Sequence, residues 1–365
     1  MKKYIKSKAG VVTLSVLAIL GVIVFLILGY VGCGSNPLVG GGTGGVRQYL
    51  GTQSPGDSWS WTIWATTETP TFLATNEAAA KWYMGNFTYL SSGFIKYEIE
   101  DSYNDEANGD TGYAVEQPYT MLIVKDDFGN TIVGTAKGST PPTADQYVWI
   151  RVPDSGWSSD SDAYGTMDLS VVSDVFTIEG NSYKINDTLQ SGPWSIGPWT
   201  FSDGRLTAGF TSWEIYFGQN KVVALDRGPG DGGSFGAEKQ DQINSTLEAI
   251  TKEFRGVAVK YNPSTGTKEA SLVGFVPVPG FPSTIKSTVL SYGDVEVSPP
   301  TVTDVSTWEF GDVIHGNIYS GTLLSSTGYP ADFKMILAKS GSKYLLMGIG
   351  LAEDGRPYSV FAIEK

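Results

Sequence analysis

Any chemistry in this 365-residue chain has to come from few side chains, because it carries one cysteine, Cys33, and one histidine, His315. A lone histidine excludes a multi-histidine zinc or copper site and a haem with two histidine ligands. Gly232-Gly233-Ser234-Phe235-Gly236 fits the G-x-S-x-G turn that presents a nucleophilic serine, with His315 as base and Asp312 or Asp294 as the orienting acid. That elbow belongs to a parallel α/β sheet, and the chain has too little helical pattern to build one. The overlapping run Gly228-Pro229-Gly230-Asp231-Gly232-Gly233 fits G-x-G-x-x-G, yet no parallel βαβ unit follows it. A tight glycine-rich turn is therefore expected there rather than a phosphate cradle.

Hard oxygen ligands are the next candidates. Glu98, Glu100, Asp101, Asp105, Glu106 and Asp110 crowd one stretch with Asn104, Asn108 and Gly109 among them, and Asp101, Asp105 and Asp110 are the set that could hold calcium. Their spacing is not that of a twelve-residue EF-hand loop, so a solvated acidic hairpin competes with this reading. Asp154, Asp160 and Asp162 form a second, sparser set. Ten tryptophans are the third resource, and Trp157, Trp194 and Trp199 sit beside Gly, Pro or Ser, where flat faces could hold a sugar ring or another ligand. Core packing is the competing role. Paired carboxylates are available anywhere in so acidic a chain, so they do not point to glycoside hydrolysis.

Charge excludes one class of partner. Lys plus Arg number 25 against 38 Asp plus Glu, a net charge of −13, and removal of Lys2, Lys3, Lys6 and Lys8 would take it to −17. Such a field repels nucleic acid. Hydrophobic residues make up 41% and charged residues 17%, so there is ample material for a folded core.

Those four lysines precede an uncharged run from Val11 to Val31 that leads into Cys33. A basic start followed by an apolar segment is the layout of an export signal, because the lysines stay cytoplasmic while the apolar stretch enters the bilayer. The run is also about the ~20 residues needed to span a bilayer, so an uncleaved anchor helix is the alternative to a cleaved signal. From Gly34 to Ser54 glycines dominate without apolar periodicity, and a flexible tether (residues 33–57) of end-to-end distance on the order of 25 Å is expected.

The remaining ~310 residues exceed what one core usually serves. Short β-branched and aromatic runs alternate with Gly, Pro, Asn and Asp turns, as in Trp59-Ser60-Trp61-Thr62-Ile63, Thr131 to Ala136 and Tyr147 to Val152. The fold class is all-β with two antiparallel domains: a sandwich or barrel over 58–237, then a small meander barrel within 238–365. Ile243, Leu247, Ile250 and Phe254 recur at helical spacing and predict one amphipathic helix, Glu238 to Phe254, at the junction. About eight short strands follow it, the last three as a meander with turns at 339–343 and 352–356. No internal repeat is visible.

Tyr30-Val31-Gly32-Cys33 resembles a bacterial lipobox, whose cysteine receives a diacylglycerol before cleavage, with Tyr30 where leucine is usual. The resemblance implies a lipidated Cys33 and a membrane tether, and Gly34 in place of an aspartate implies the outer membrane or cell surface. Trp59 to Ile63, the 226–233 loop, Phe254-Arg255-Gly256-Val257 and the closing hairpin resemble uncharacterised β-rich lipoproteins of environmental bacteria. That resemblance carries no activity and no cofactor. The function it leaves is a non-enzymatic binding or structural module of the envelope, with glycan, lipid or an envelope protein as partner. A hydrolase of glycans or esters, or a lipocalin-like carrier with an apolar ligand in the C-terminal barrel, are the alternatives.

Overall fold

The computed structural model describes residues 45–365 apart from 54–56, 66–69, 77–78, 127–130, 154–156, 210, 212, 219, 227–232, 241–250, 263–264, 279–284, 325–329 and 352–354. The segment from Met1 and the Cys33 position therefore lie outside the described residues. Residues 44–365 form one compact unit. No helix occurs among the described residues, so none is long and apolar enough to cross a membrane, which says nothing about strands.

Twenty-four strands close into three antiparallel barrels of eight, each strand bonded to its neighbours in sequence. The first barrel comprises β1 (Val46–Gln53), β2 (Asp57–Trp64), β3 (Thr71–Asn76), β4 (Lys81–Tyr89), β5 (Ile95–Tyr103), β6 (Thr111–Gln117), β7 (Met121–Asp126) and β8 (Thr131–Ala136), and β8 closes on β1. The second comprises β9 (Asp145–Arg151), β10 (Tyr164–Val172), β11 (Val175–Tyr183), β12 (Leu189–Ser202), β13 (Arg205–Thr207), β14 (Glu214–Phe217), β15 (Val222–Asp226) and β16 (Ser234–Glu238), and β16 closes on β9. The third comprises β17 (Phe254–Asn262), β18 (Thr267–Pro277), β19 (Ile285–Asp294), β20 (Thr301–His315), β21 (Ile318–Leu324), β22 (Pro330–Ser340), β23 (Lys343–Leu351) and β24 (Pro357–Glu364), and β24 closes on β17. Closure pairs the edge strands of each sheet with one another, which limits the edges open to another chain.

Each strand's pattern records what lies on its two faces. In β11, Phe176 and Ile178 are buried inside the barrel while Val175 and Glu179 face water, the period-two signature of a half-buried strand. In β23, Tyr344 and Leu346 fill the third barrel, while Leu345, Met347 and Ile349 enter a core shared by all three barrels. Buried on both faces, that strand reads as a continuous apolar run. The shared core joins Ile123 and Val133 of the first barrel, Val148, Ile150 and Phe235 of the second, and Val257 and Phe361 of the third. Phe235 and Phe361 meet there edge to face with centroids 5.5 Å apart. Asn317, fully buried, ties the second barrel to the third by donating to the Glu238 carbonyl and accepting from the Gln240 amide.

Several expectations change. The all-β class and the C-terminal eight-stranded barrel stand, with Gly341 at φ +64° turning β22 into β23. The two domains are instead three barrels: 58–237 holds most of one and nearly all of another. The tether expected over 33–57 does not hold at Val46–Gln53, a strand whose Tyr49 enters the first core; residues 33–44 lie outside the described residues. The junction helix is not seen at its ends, since Glu238 closes β16 and Phe254 opens β17; its centre, 241–250, lies outside the described residues. Gly233 lies at the tip between β15 and β16, an antiparallel hairpin, so the glycine run lacks the strand-to-helix setting a phosphate needs.

Candidate binding site: a tryptophan-lined cavity in the middle barrel

The first and third barrels fill their centres with rings. Trp61 stacks on Phe72 with centroids 5.0 Å apart, and Trp308 meets Phe333 edge to face at 4.4 Å. The second barrel keeps an internal cavity of about 460 Å³, lined by Trp149, Trp194, Trp199 and Trp213 with Met167, Ile178, Ile215, Val223 and Leu225. This volume falls within the ~300–1,000 Å³ of small-molecule sites.

Glycines on the facing strands explain why these indoles line the wall rather than fill it. Gly165 of β10 pairs with Trp149, and a Cβ there would strike the Trp149 ring; Gly180 of β11 pairs with Trp194, whose ring lies 2.7 Å from where a Cβ would stand. Each indole occupies the space a side chain would take, against the sheet. Trp199 is pinned by its indole N–H, which donates to the Ile196 carbonyl at 3.0 Å. The cavity floor is closed by Tyr147, Phe176, Leu206 and Phe217, with Tyr147 and Phe217 packed edge to face. At the opposite end Gln190 and Ser191 are exposed, and Asp162, Ser182 and Ser234 complete a polar rim.

The barrel wall has a seam beside the cavity. Among the described residues β12 bonds β13 only through Thr200, Phe201 and Ser202, and its stretch 189–199 pairs with β11 alone. A second recess of about 300 Å³ sits there between Ser195, Ile196 and Gly197 on one side and Thr211 and Trp213 on the other. Ile196 and Trp213 border both spaces. Pro193 and Pro198 remove donors from β12, which keeps this partly unpaired strand from adding a foreign one.

The site residues expected from sequence divide. Trp194 and Trp199 both line the cavity, whereas Trp157 is 2% exposed, donates its indole N–H to the Asp162 carbonyl and packs in the shared core instead. None of the three offers an open sugar platform of the kind the Gly, Pro and Ser neighbours suggested. Sequence reasoning missed Trp149 and Trp213, which sat unmarked in strand-like runs. The only trace of the Trp149 role is Gly165 at its cross-strand position, a pairing invisible before the register is known, and Trp213 carries no such signal.

The catalytic serine frame does not assemble. Ser234 has no hydrogen-bond partner, and its strand neighbour Phe235 faces the shared core on the other side of the wall. His315 stands outside the barrel, its ring 4.7 Å from Tyr183 and 6.2 Å from Tyr164. Burial pushes the imidazole below its usual range, aided by Lys239 and opposed by Asp187. Asp187 also accepts from Tyr164 at 2.8 Å and pairs with Lys334, and burial together with that hydrogen bond drives the Tyr164 phenol upward.

The acidic residues disperse likewise. Among the described residues no three His, Cys, Asp or Glu side chains converge on a point that could hold a metal. Asp105 accepts from Tyr83 at 2.7 Å and from Lys81 at 2.9 Å, and these bonds hold its carboxyl below the usual range. Asp101 accepts from the Ser102 amide, and Asp110 turns the chain into β6 with its amide on the Ala107 carbonyl. Calcium, expected from Asp101, Asp105 and Asp110, thus finds no assembled ligand set there. Asp160 pairs with Lys184 and Asp162 with Arg151, while Asp154 lies outside the described residues.

No protein-family model matches the chain, and no curated protein matches it. Among solved structures it is similar to a double mutant of the vaccine antigen transferrin binding protein B from Haemophilus parasuis Hp5, at 8% identity and a TM-score of 0.19. The match covers 87% of this chain and 66% of that one, so the chain spans just under two thirds of its neighbour's length. A likeness this loose carries no argument about fold, partner or activity.

Proposed function

We propose that this protein is an exported, lipid-anchored binding protein of the cell envelope that holds a small apolar ligand inside its middle barrel. The observation that carries the reading is the 460 Å³ cavity walled by four tryptophans and six aliphatic or thioether side chains. An apolar hole of this size forfeits dispersion contacts and cavity energy that packed rings, such as Trp61 on Phe72 and Trp308 on Phe333 in the sister barrels, would recover. Catalysis is not part of the reading, because Ser234 and His315 lie on opposite sides of a barrel wall. The anchor rests on the lysine-led apolar run and Cys33, with acylation of Cys33 fixing the mature start and placing the barrels on the outer membrane or cell surface. Two acyl chains retain a protein on a membrane stably where one does so only reversibly.

Native mass spectrometry of the full chain extracted from its own membrane tests both halves at once. The expected result is a diacylglycerol-modified Cys33 as first residue and a co-purifying small apolar compound. An intact Met1 start overturns the lipid anchor in favour of an uncleaved anchor helix. An unliganded protein that also fails to bind the neutral dye N-phenyl-1-naphthylamine overturns the ligand.

A further inference from the structure

One polar group in the cavity wall has nothing to bond. Ser234 faces inward on β16, is 1% exposed, and its Oγ has no hydrogen-bond partner. A hydroxyl hidden from water without a partner is a net cost that an alanine of nearly the same shape would avoid. Around it the Ser182 and Ser191 hydroxyls share a 2.7 Å hydrogen bond, and the Asp162 carboxylate pairs with Arg151, the residue opposite Ser234 on β9. Among the described residues neither lysine nor arginine lines this cavity, and the Arg151 guanidinium, on the residue opposite Ser234, pairs with Asp162. A carboxylate or phosphate would therefore enter a strongly acidic protein without a cation to receive it.

Resting on the binding reading above and narrowing it to a chemical class, we infer that the middle barrel takes a neutral amphiphile. Its apolar body lies among Trp149, Trp194, Trp199 and Trp213, and one uncharged hydroxyl or carbonyl is hydrogen-bonded to Ser234. The serine hydroxyl both donates and accepts, so either head group satisfies it. The position of Ser234, beside Leu225 and Arg151 at the rim end of β16, sets the head toward the rim and the body toward the floor.

Three probes of one shape test this: naphthalene, 2-naphthol and 2-naphthoate, each displacing N-phenyl-1-naphthylamine from the chain beginning at Gly44, which retains the whole compact unit and needs no detergent. The expected order is 2-naphthol about tenfold tighter than naphthalene, with 2-naphthoate weakest. Ser234→Ala is expected to bring 2-naphthol to the affinity of naphthalene while leaving naphthalene unchanged, and to melt no lower than the parent because it deletes an unpaired group. Equal affinities for naphthalene and 2-naphthol in the parent, a preference surviving Ser234→Ala, or tightest binding of 2-naphthoate would overturn the assignment while leaving the cavity reading intact. If the dye itself does not bind, the binding reading fails and takes this one with it; a bound dye that none of the three probes displaces overturns this assignment alone.

Discussion

Replacing Val223 by phenylalanine gives opposite signs for an empty barrel and a packed one. Val223 is 3% exposed and points into the cavity from β15, beside the closed floor at Phe217. An apolar hole of ~150 Å³ accommodates benzene, so a phenyl group would occupy about a third of the 460 Å³ available. The substitution adds ~four carbons, each stabilising by up to ~0.8 kcal/mol when buried. After side-chain ordering and imperfect fit, a net gain of about 1–2 kcal/mol in unfolding free energy is expected. In a tightly packed core the same change would cost about 1–3 kcal/mol through forced rotamers. Urea denaturation followed by tryptophan fluorescence reads the sign, and dye displacement reads the second consequence, at least a tenfold loss of affinity for N-phenyl-1-naphthylamine. A destabilised variant, or one that binds the dye as tightly as the parent, would refute the argument that this cavity is the ligand site.

Two further outcomes follow from buried charge. Arg47, 6% exposed, binds both oxygens of Glu116, 1% exposed, at 2.7 and 3.0 Å inside the first barrel, so Arg47→Met is expected to cost about 3–5 kcal/mol by removing the counter-charge and leaving the carboxylate only the Tyr49 and Tyr89 hydroxyls. The Arg47→Met, Glu116→Leu double variant should recover most of that loss in urea denaturation; no recovery would show that the cost is packing rather than charge. For His315, burial lowers the folded-state pKa beneath the 6.5 of an unfolded histidine, so the unfolded chain takes up more protons as pH falls below that value. Stability contributed by the neutral imidazole is complete above pH 6.5 and declines as pH drops toward the lowered value. His315→Gln should flatten this part of the stability profile, and an unchanged slope would remove His315 as its source.

Strand content was legible wherever one face of the sheet meets water. Thr131–Ala136 is a strand at the boundaries its residues suggest, and the third barrel's eight strands can be counted from turns and alternating residues alone. Strands that break the usual composition were not. β12 reads as Gly-Pro-Trp turns, β16 as a nucleophile elbow, β6 runs out of an acidic loop, and β1 hides behind glycines. Losing them merged two barrels into one domain. The threefold repetition left no trace in the sequence because closing eight antiparallel strands requires alternation and matched stagger, not particular residues.

What the amino-acid sequence determined unaided is therefore local or global in a simple sense: a net negative charge, ample apolar material for a core, and antiparallel strands joined by short turns. Each depends on composition or on spacing within a few residues. Only the closed barrels decided the rest, because an inward face is defined by partners far away in the chain. Closure set Trp149 over Gly165 and Trp194 over Gly180, left the middle barrel hollow while rings packed in its sisters, turned Ser234 inward without a partner, and put His315 beyond the wall. A side chain's chemistry can be read from its name, but whether it meets a ligand, a base or the core depends on which way its strand faces after the last strand has bonded to the first.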